Sequence, residues 1–157
     1  MPRGGADAAT RADPGAVRHG ARWVWPAAAV VAAAGAGISG YLTATALQGA
    51  PPVCLAGDCA AVAASPYAKF LGLPTATWGL GLYLVVGALA VAEWKGWHPA
   101  ALPSAVLGLA AFGLTFSMYL LWVQIAVLRA VCSWCLASEV LWVVLLVLAL
   151  IGALRAE

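Results

Sequence analysis

Residues 132–154 read CSWCLASEVLWVVLLVLALIGAL. From Val140 onward the stretch is entirely apolar, and two cysteines and a glutamate stand at its start. A spanning helix needs roughly 20 mostly apolar residues, and 134–154 supplies them. Three more stretches do the same, at about 23–47, 76–92 and 102–123. Over its 157 residues the chain is 64% hydrophobic and 9% charged, with a mean hydropathy of +0.95. Soluble domains are roughly 45–50% apolar and about 25% charged, and one this short has too little interior to hide the excess. Disorder is excluded for the same reason. Eight basic against 6 acidic residues leave no charged surface suited to nucleic acid. The expected fold class is all-α: an integral membrane bundle of four helices.

Around the spans the sequence turns polar. Residues 1–22 are rich in Gly, Ala, Arg and Asp and are expected to be a disordered cytoplasmic tail, with 23–157 forming one membrane domain. Pro51, Pro52 and Pro74 break the chain between the first two spans, and Trp97, His98 and Pro99 mark the next turn. Arg3, Arg11, Arg18, Arg22, Lys95 and Arg155 fall on one side of the membrane, and Lys69 and Arg129 on the other. The positive-inside rule then places both termini in the cytoplasm. Ala44-Thr45-Ala46 resembles a signal-cleavage site, but the apolar run before it is longer than the 7–15 residues of a signal peptide. Trp23, Trp25, Trp94, Trp97, Trp122 and Trp134 are placed for interfacial belts. Gly35, Gly37, Ser39 and Gly40 are expected to let span one approach a neighbour closely.

All four cysteines lie opposite the basic termini. Cys54 and Cys59 bracket Cys-Leu-Ala-Gly-Asp-Cys in the first loop, and Cys132 and Cys135 form C-x-x-C at the mouth of span four. The non-cytoplasmic face is where disulfides form and persist. Four cysteines allow three pairings, and pairing within each motif is the simplest. A C-x-x-C loop is so short that its disulfide restrains little of the unfolded chain. Redox use is therefore the leading reading. Cys135 would lie in the first helical turn, where free N–H groups favour a thiolate. Two inert structural disulfides and a four-thiolate zinc site are the competing readings. The zinc site has a wide first spacing and no assisting histidine, since His19 and His98 fall on the cytoplasmic side.

Four spans, a cysteine pair after the first and C-x-x-C opening the last resemble the vitamin K epoxide reductase family, in its bacterial branch. The likeness covers about residues 23–154. It rests on Cys59 to Ser65, on Leu71-Gly-Leu-Pro-Thr75 with Trp78-Gly79, and on Cys132-Ser-Trp-Cys135-Leu. The resemblance implies a bundle around a quinone site near the outer leaflet of a bacterial cytoplasmic membrane. A thioredoxin-fold partner outside the cytoplasm would attack the loop disulfide at Cys54. Cys59 would then attack Cys132, and Cys135, freed as a thiolate, would deliver electrons to the quinone. That quinone would be of the menaquinone, ubiquinone or vitamin K type, and no metal is implied. Ser65 matches a family hydroxyl six residues after the second loop cysteine. This chain departs from the family in its tighter loop pair, in Thr75 where an asparagine often stands, and in Glu139 where vertebrate members carry tyrosine. It also lacks the thioredoxin domain fused to some members, so the expected donor is a separate protein.

Other residues are candidates on their own chemistry. Glu139 is an ionisable group inside a span, four residues after Cys135 and on the same helix face. It is expected either to serve the quinone or to reach water at the interface. Residues 60–73 suggest a short interfacial helix capping the bundle, the alternative being a surface loop. Trp78, Tyr83 and Phe112 or Phe116 are candidates to line an apolar pocket. Tyr119 and Gln124 are polar positions near the outer end of span three. The leading function is a quinone-linked protein disulfide oxidase. The alternatives are the related DsbB type, which usually carries C-x-x-C in its first outer loop, and a non-enzymatic membrane protein stapled by disulfides.

Overall fold

In lipid the backbone satisfies its N–H and C=O groups only internally, so long apolar runs become helices. The computed structural model describes residues 23–97, 99 and 101–155. It has four long helices: α1 (Val24–Leu47), α3 (Thr75–Trp94), α4 (Leu102–Trp122) and α5 (Ser133–Leu154), with a short α2 (Cys59–Ala63) after the first. All four long helices have the length and composition to cross a membrane. The chain is an all-α, four-helix integral membrane protein. Expected and observed spans agree within about two residues, with one exception. The third does not stop at Val123 but continues through a π-helical turn, Val123–Leu128.

Helix α1 packs against α3 and α5, and α4 packs against α5 and α3. Small residues let the backbones approach. Ala28, Ala32, Ala90, Ala110 and Ala149 are all in the core. Three aromatic rings fill the remaining space by lying on glycines of a neighbouring helix. Tyr83 covers Gly35, Trp142 covers Gly113, and Trp25 covers Gly152. Tyr83 and Trp142 also stack, with centroids 4.2 Å apart. Val30, Leu84, Val140, Val143 and Val147 stay on the outside, where lipid is their solvent.

Several expectations are corrected. Of the small residues picked out in span one, Gly35 makes the close approach and Ser39 is buried, but Gly37 has open space around it. Trp25 is buried in the core rather than interfacial. Trp134 is tied to the first loop, with Nε1 donating to Val53 O at 2.7 Å. Residues 60–73 do not form one helix. Pro66 starts a separate 3₁₀ turn, Pro66–Ala68, and Lys69–Phe70 then pairs antiparallel with Leu73–Pro74. Leu71 and Gly72, both at positive φ, make the turn between them. The proposed disordered tail, its arginines, His19 and His98 lie outside the described residues.

Candidate functional site

The first loop folds back over the mouth of α5. Tyr41 packs against Trp134 with the rings tilted and their centroids 5.3 Å apart, and its hydroxyl accepts a hydrogen bond from Val53 N at 2.9 Å. Farther along, Gly57 makes an antiparallel bridge to Cys132, and Asp58 N donates to Val131 O at 2.9 Å. Only glycine suits this point. Gly57 has φ +86°, and a Cβ there would collide with the carbonyl oxygen of Val131. Asp58 then caps α2, accepting from Ala61 N at 2.9 Å. The bridge and the cap together put Cys59, the first residue of α2, beside the C-x-x-C motif.

Cys54 and Cys59 form a disulfide, while Cys132 and Cys135 are thiols. The local pairing of the loop cysteines is therefore present, and it removes two of the four thiolates that the zinc reading needs. Staples of two inert disulfides are likewise not what is seen. Cys54 is half-buried, whereas Cys59 is 1% and Cys132 is 2% exposed. Ser133, the first residue of α5, places its Oγ 3.7 Å from Sγ of Cys54 and 3.8 Å from Sγ of Cys59.

Gln124 holds the other side of the motif. It is 4% exposed, and its Oε1 accepts from Cys132 N at 2.9 Å. Its own carbonyl accepts from Arg129 N and Ala130 N. The π turn and the left-handed Arg129 thus wind the connection around one buried amide. The polar side chain of Gln124 thus bonds to the backbone of the motif. The Cys132 thiol is pulled down to about 6, first by the hydrogen bond from the Cys135 side chain, against desolvation, and then by the N–H groups of Cys135 and Trp134. The helix N-terminus does favour a thiolate, as expected, but at Cys132, the residue before the first turn.

Beneath the loop lies a cavity of about 1250 Å³ between the cap and the helices. Cys59, Cys132 and Cys135 line it, and Cys54 does not. Its walls are largely apolar, with Trp78, Phe112 and Phe116 among them. One carboxyl interrupts them. Glu139 is 7% exposed and accepts through Oε2 from Ser117 Oγ, while its Oε1 has no hydrogen-bond partner among the described residues.

The four-helix membrane bundle thus carries a disulfide loop docked on the two thiols of its C-x-x-C motif. The family model of the vitamin K epoxide reductase family matches residues 26–150. This chain belongs to that family. It is a membrane thiol oxidoreductase, and the family uses quinones.

The secondary candidates divide on geometry. Ser65, Thr75, Trp78 and Glu139 line the cavity. Tyr83 does not; it is a core residue whose hydroxyl bonds to Ser138 O and Oγ. Ser65 Oγ donates to Val62 O at 2.8 Å, closing α2. Thr75 Oγ1 donates to Tyr67 O at 2.8 Å, and Trp78 Nε1 donates to Phe70 O at 3.1 Å. Thr75 and Trp78 therefore hold the cap onto α3, Ser65 closes the cap internally, and all three also face the cavity. Tyr119 is exposed and lies apart from the large cavity. Ser117 and Ser133 had no separate signal in the sequence, because a lone serine in an apolar run or inside C-x-x-C is uninformative until its neighbours are known.

Proposed function

We propose that this member of the family is a protein disulfide oxidase that passes electrons from a dithiol protein to a membrane quinone. The observation that carries the reading is the linear order of the sulfurs. Cys54 is half-buried and off the cavity, Cys59 and Cys132 are buried at either end of the segment docked by the Gly57–Cys132 bridge, and Cys135 lines the cavity with them. A partner thiolate reaches only the outer sulfur, and electrons move inward from there. Val53 and Leu55, exposed on either side of Cys54, provide an apolar lip for a separate thioredoxin-fold partner. The net step oxidises the partner's dithiol to a disulfide and reduces the quinone, with two electrons and two protons, to the quinol.

The cavity suits such a substrate in size and character. Binding pockets of small ligands run to roughly 300–1,000 Å³ with apolar walls and few polar groups, and a prenylated quinone needs more room for its tail. Glu139, buried and with one oxygen uncommitted, is the group able to donate to a quinone oxygen. Thr75 and Ser65 would make such a contact only by giving up their bonds to Tyr67 O and Val62 O, and Trp78 is a candidate for stacking. The cysteine face is outside the cytoplasm in this reading, because Lys95 and Arg155, with the arginines of the first 22 residues, mark the opposite side.

The test is quinone reduction by the purified protein, driven by a reduced thioredoxin-fold protein and run with menaquinone, ubiquinone and vitamin K analogues. Turnover with at least one quinone, lost in Cys135→Ala, is expected. Glu139→Gln should lower quinone turnover at least tenfold while leaving reduction of the cysteines by dithiol unchanged. Dithiol oxidation that persists in Cys132→Ala and Cys135→Ala would overturn the reading and favour a stapled, non-enzymatic protein.

A further inference from the structure

Ser133 touches both sulfurs of the loop disulfide, at 3.7 Å and 3.8 Å. It reaches them across 79 and 74 residues of sequence. Sulfurs joined in a disulfide carry no proton, so the hydroxyl is the donor to either one. The contact sits at the one place where the disulfide meets the C-x-x-C motif, and Gly57 is bridged to the adjacent Cys132.

We propose that Ser133 is a catalytic residue of the exchange, donating its hydroxyl proton as a hydrogen bond to the loop sulfur that leaves as a thiolate. The proposal rests on the reading that an external dithiol attacks the loop disulfide. In the first half the partner's thiolate bonds to Cys54 Sγ, the Cys54–Cys59 bond breaks, and Cys59 leaves with the electron pair. Cys59 is 1% exposed, so water does not solvate that charge, and a buried thiolate without a donor is costly. Ser133 Oγ is already within reach. Cys59 then attacks Cys132 of the oxidised pair, forming Cys59–Cys132 and releasing Cys135 with the electrons. In the second half the partner's other thiolate closes the partner disulfide, and Cys54 leaves as a thiolate. Cys54 attacks Cys59, re-forming the loop disulfide and releasing Cys132. Each loop cysteine is the leaving group once, and one hydroxyl nearly equidistant from both serves each in turn.

The experiment avoids the quinone. In a Cys132→Ala, Cys135→Ala background, the loop disulfide is reduced with dithiothreitol and the rate is read by thiol trapping and mass spectrometry. Ser133→Ala should slow reduction about tenfold, as expected for loss of a hydrogen bond to a charged group. Ser133→Thr, which keeps the hydroxyl, should restore most of the rate. With Cys54→Ala added, the pH midpoint of Cys59 alkylation should rise in Ser133→Ala. The ionisable groups on the elements around Cys59 in the native protein are Cys54, Asp58, Tyr67, Lys69, Arg129, Cys132, Cys135 and Glu139. The serine substitution changes none of them. An unchanged rate and midpoint in Ser133→Ala would overturn the role, and so would a threonine variant as slow as the alanine one. A normal Ser133 effect in a protein that reduces no quinone would support this role and overturn only the quinone reading.

Discussion

Cys132 receives hydrogen bonds from the Cys135 side chain and from the N–H groups of Cys135 and Trp134, which lower its thiol to about 6. Its own N–H is held by Gln124. The sign of the pH dependence follows. A thiol held below the ordinary range ionises, and so reacts, at lower pH than a free cysteine. Alkylation of Cys132 in the reduced protein should therefore rise at a pH below the ordinary thiol range of about 8.5. In Cys135→Ala the midpoint should move up, because the largest cause of the depression is gone. A midpoint that does not move in that variant would assign the effect to the helix terminus alone. The cysteines themselves were legible in the sequence, since thiols at those spacings have few uses. The division of labour between Cys132 and Cys135 was not, because it depends on which sulfur the helix N–H groups face.

At the scale of elements, the loop docks on α5 through Gly57. A non-glycine residue at its positive φ costs about 1–2 kcal/mol, and a side chain there also collides with Val131 O. Gly57→Ala should undock the loop and separate Cys59 from Cys132. The measurable result is a loss of at least tenfold in the Cys59–Cys132 disulfide trapped in a Cys135→Ala background. Gly49→Ala is the comparator, since Gly49 also has positive φ but open space around it. An equal loss in both variants would mean that backbone strain, and not docking, governs the yield. The four spans were readable from apolar length because lipid admits only helices and closed barrels, and an unbroken apolar run of about 20 residues suits only the helix. The cap was misread as a helix because its composition is ambiguous. Pro66 and the Leu71-Gly72 turn decide it, and a two-residue ladder has no periodicity to detect.

At the scale of the molecule, the bundle separates a wet entrance from an apolar interior, and the sulfurs cross between them. In the proposed reaction the entrance lies outside the cytoplasm, on the side where disulfides form and persist. In cells, a membrane-impermeant maleimide should label Lys69→Cys in an otherwise cysteine-free chain and should not label Lys95→Cys. The reverse pattern would invert the orientation. The sequence by itself determined the membrane class, the number of spans and the four sulfurs, because each depends on local composition or on chemistry that few residue types possess. It also carried the family likeness. Only the tertiary structure decided what lies beside what. Tyr83 turned into the core onto Gly35, Gln124 closed on the backbone of Cys132, and Ser133 came against a disulfide more than 70 residues away. Those contacts join distant segments through single side chains. No local pattern encodes them, and they form only when the helices pack and the loop folds back over α5.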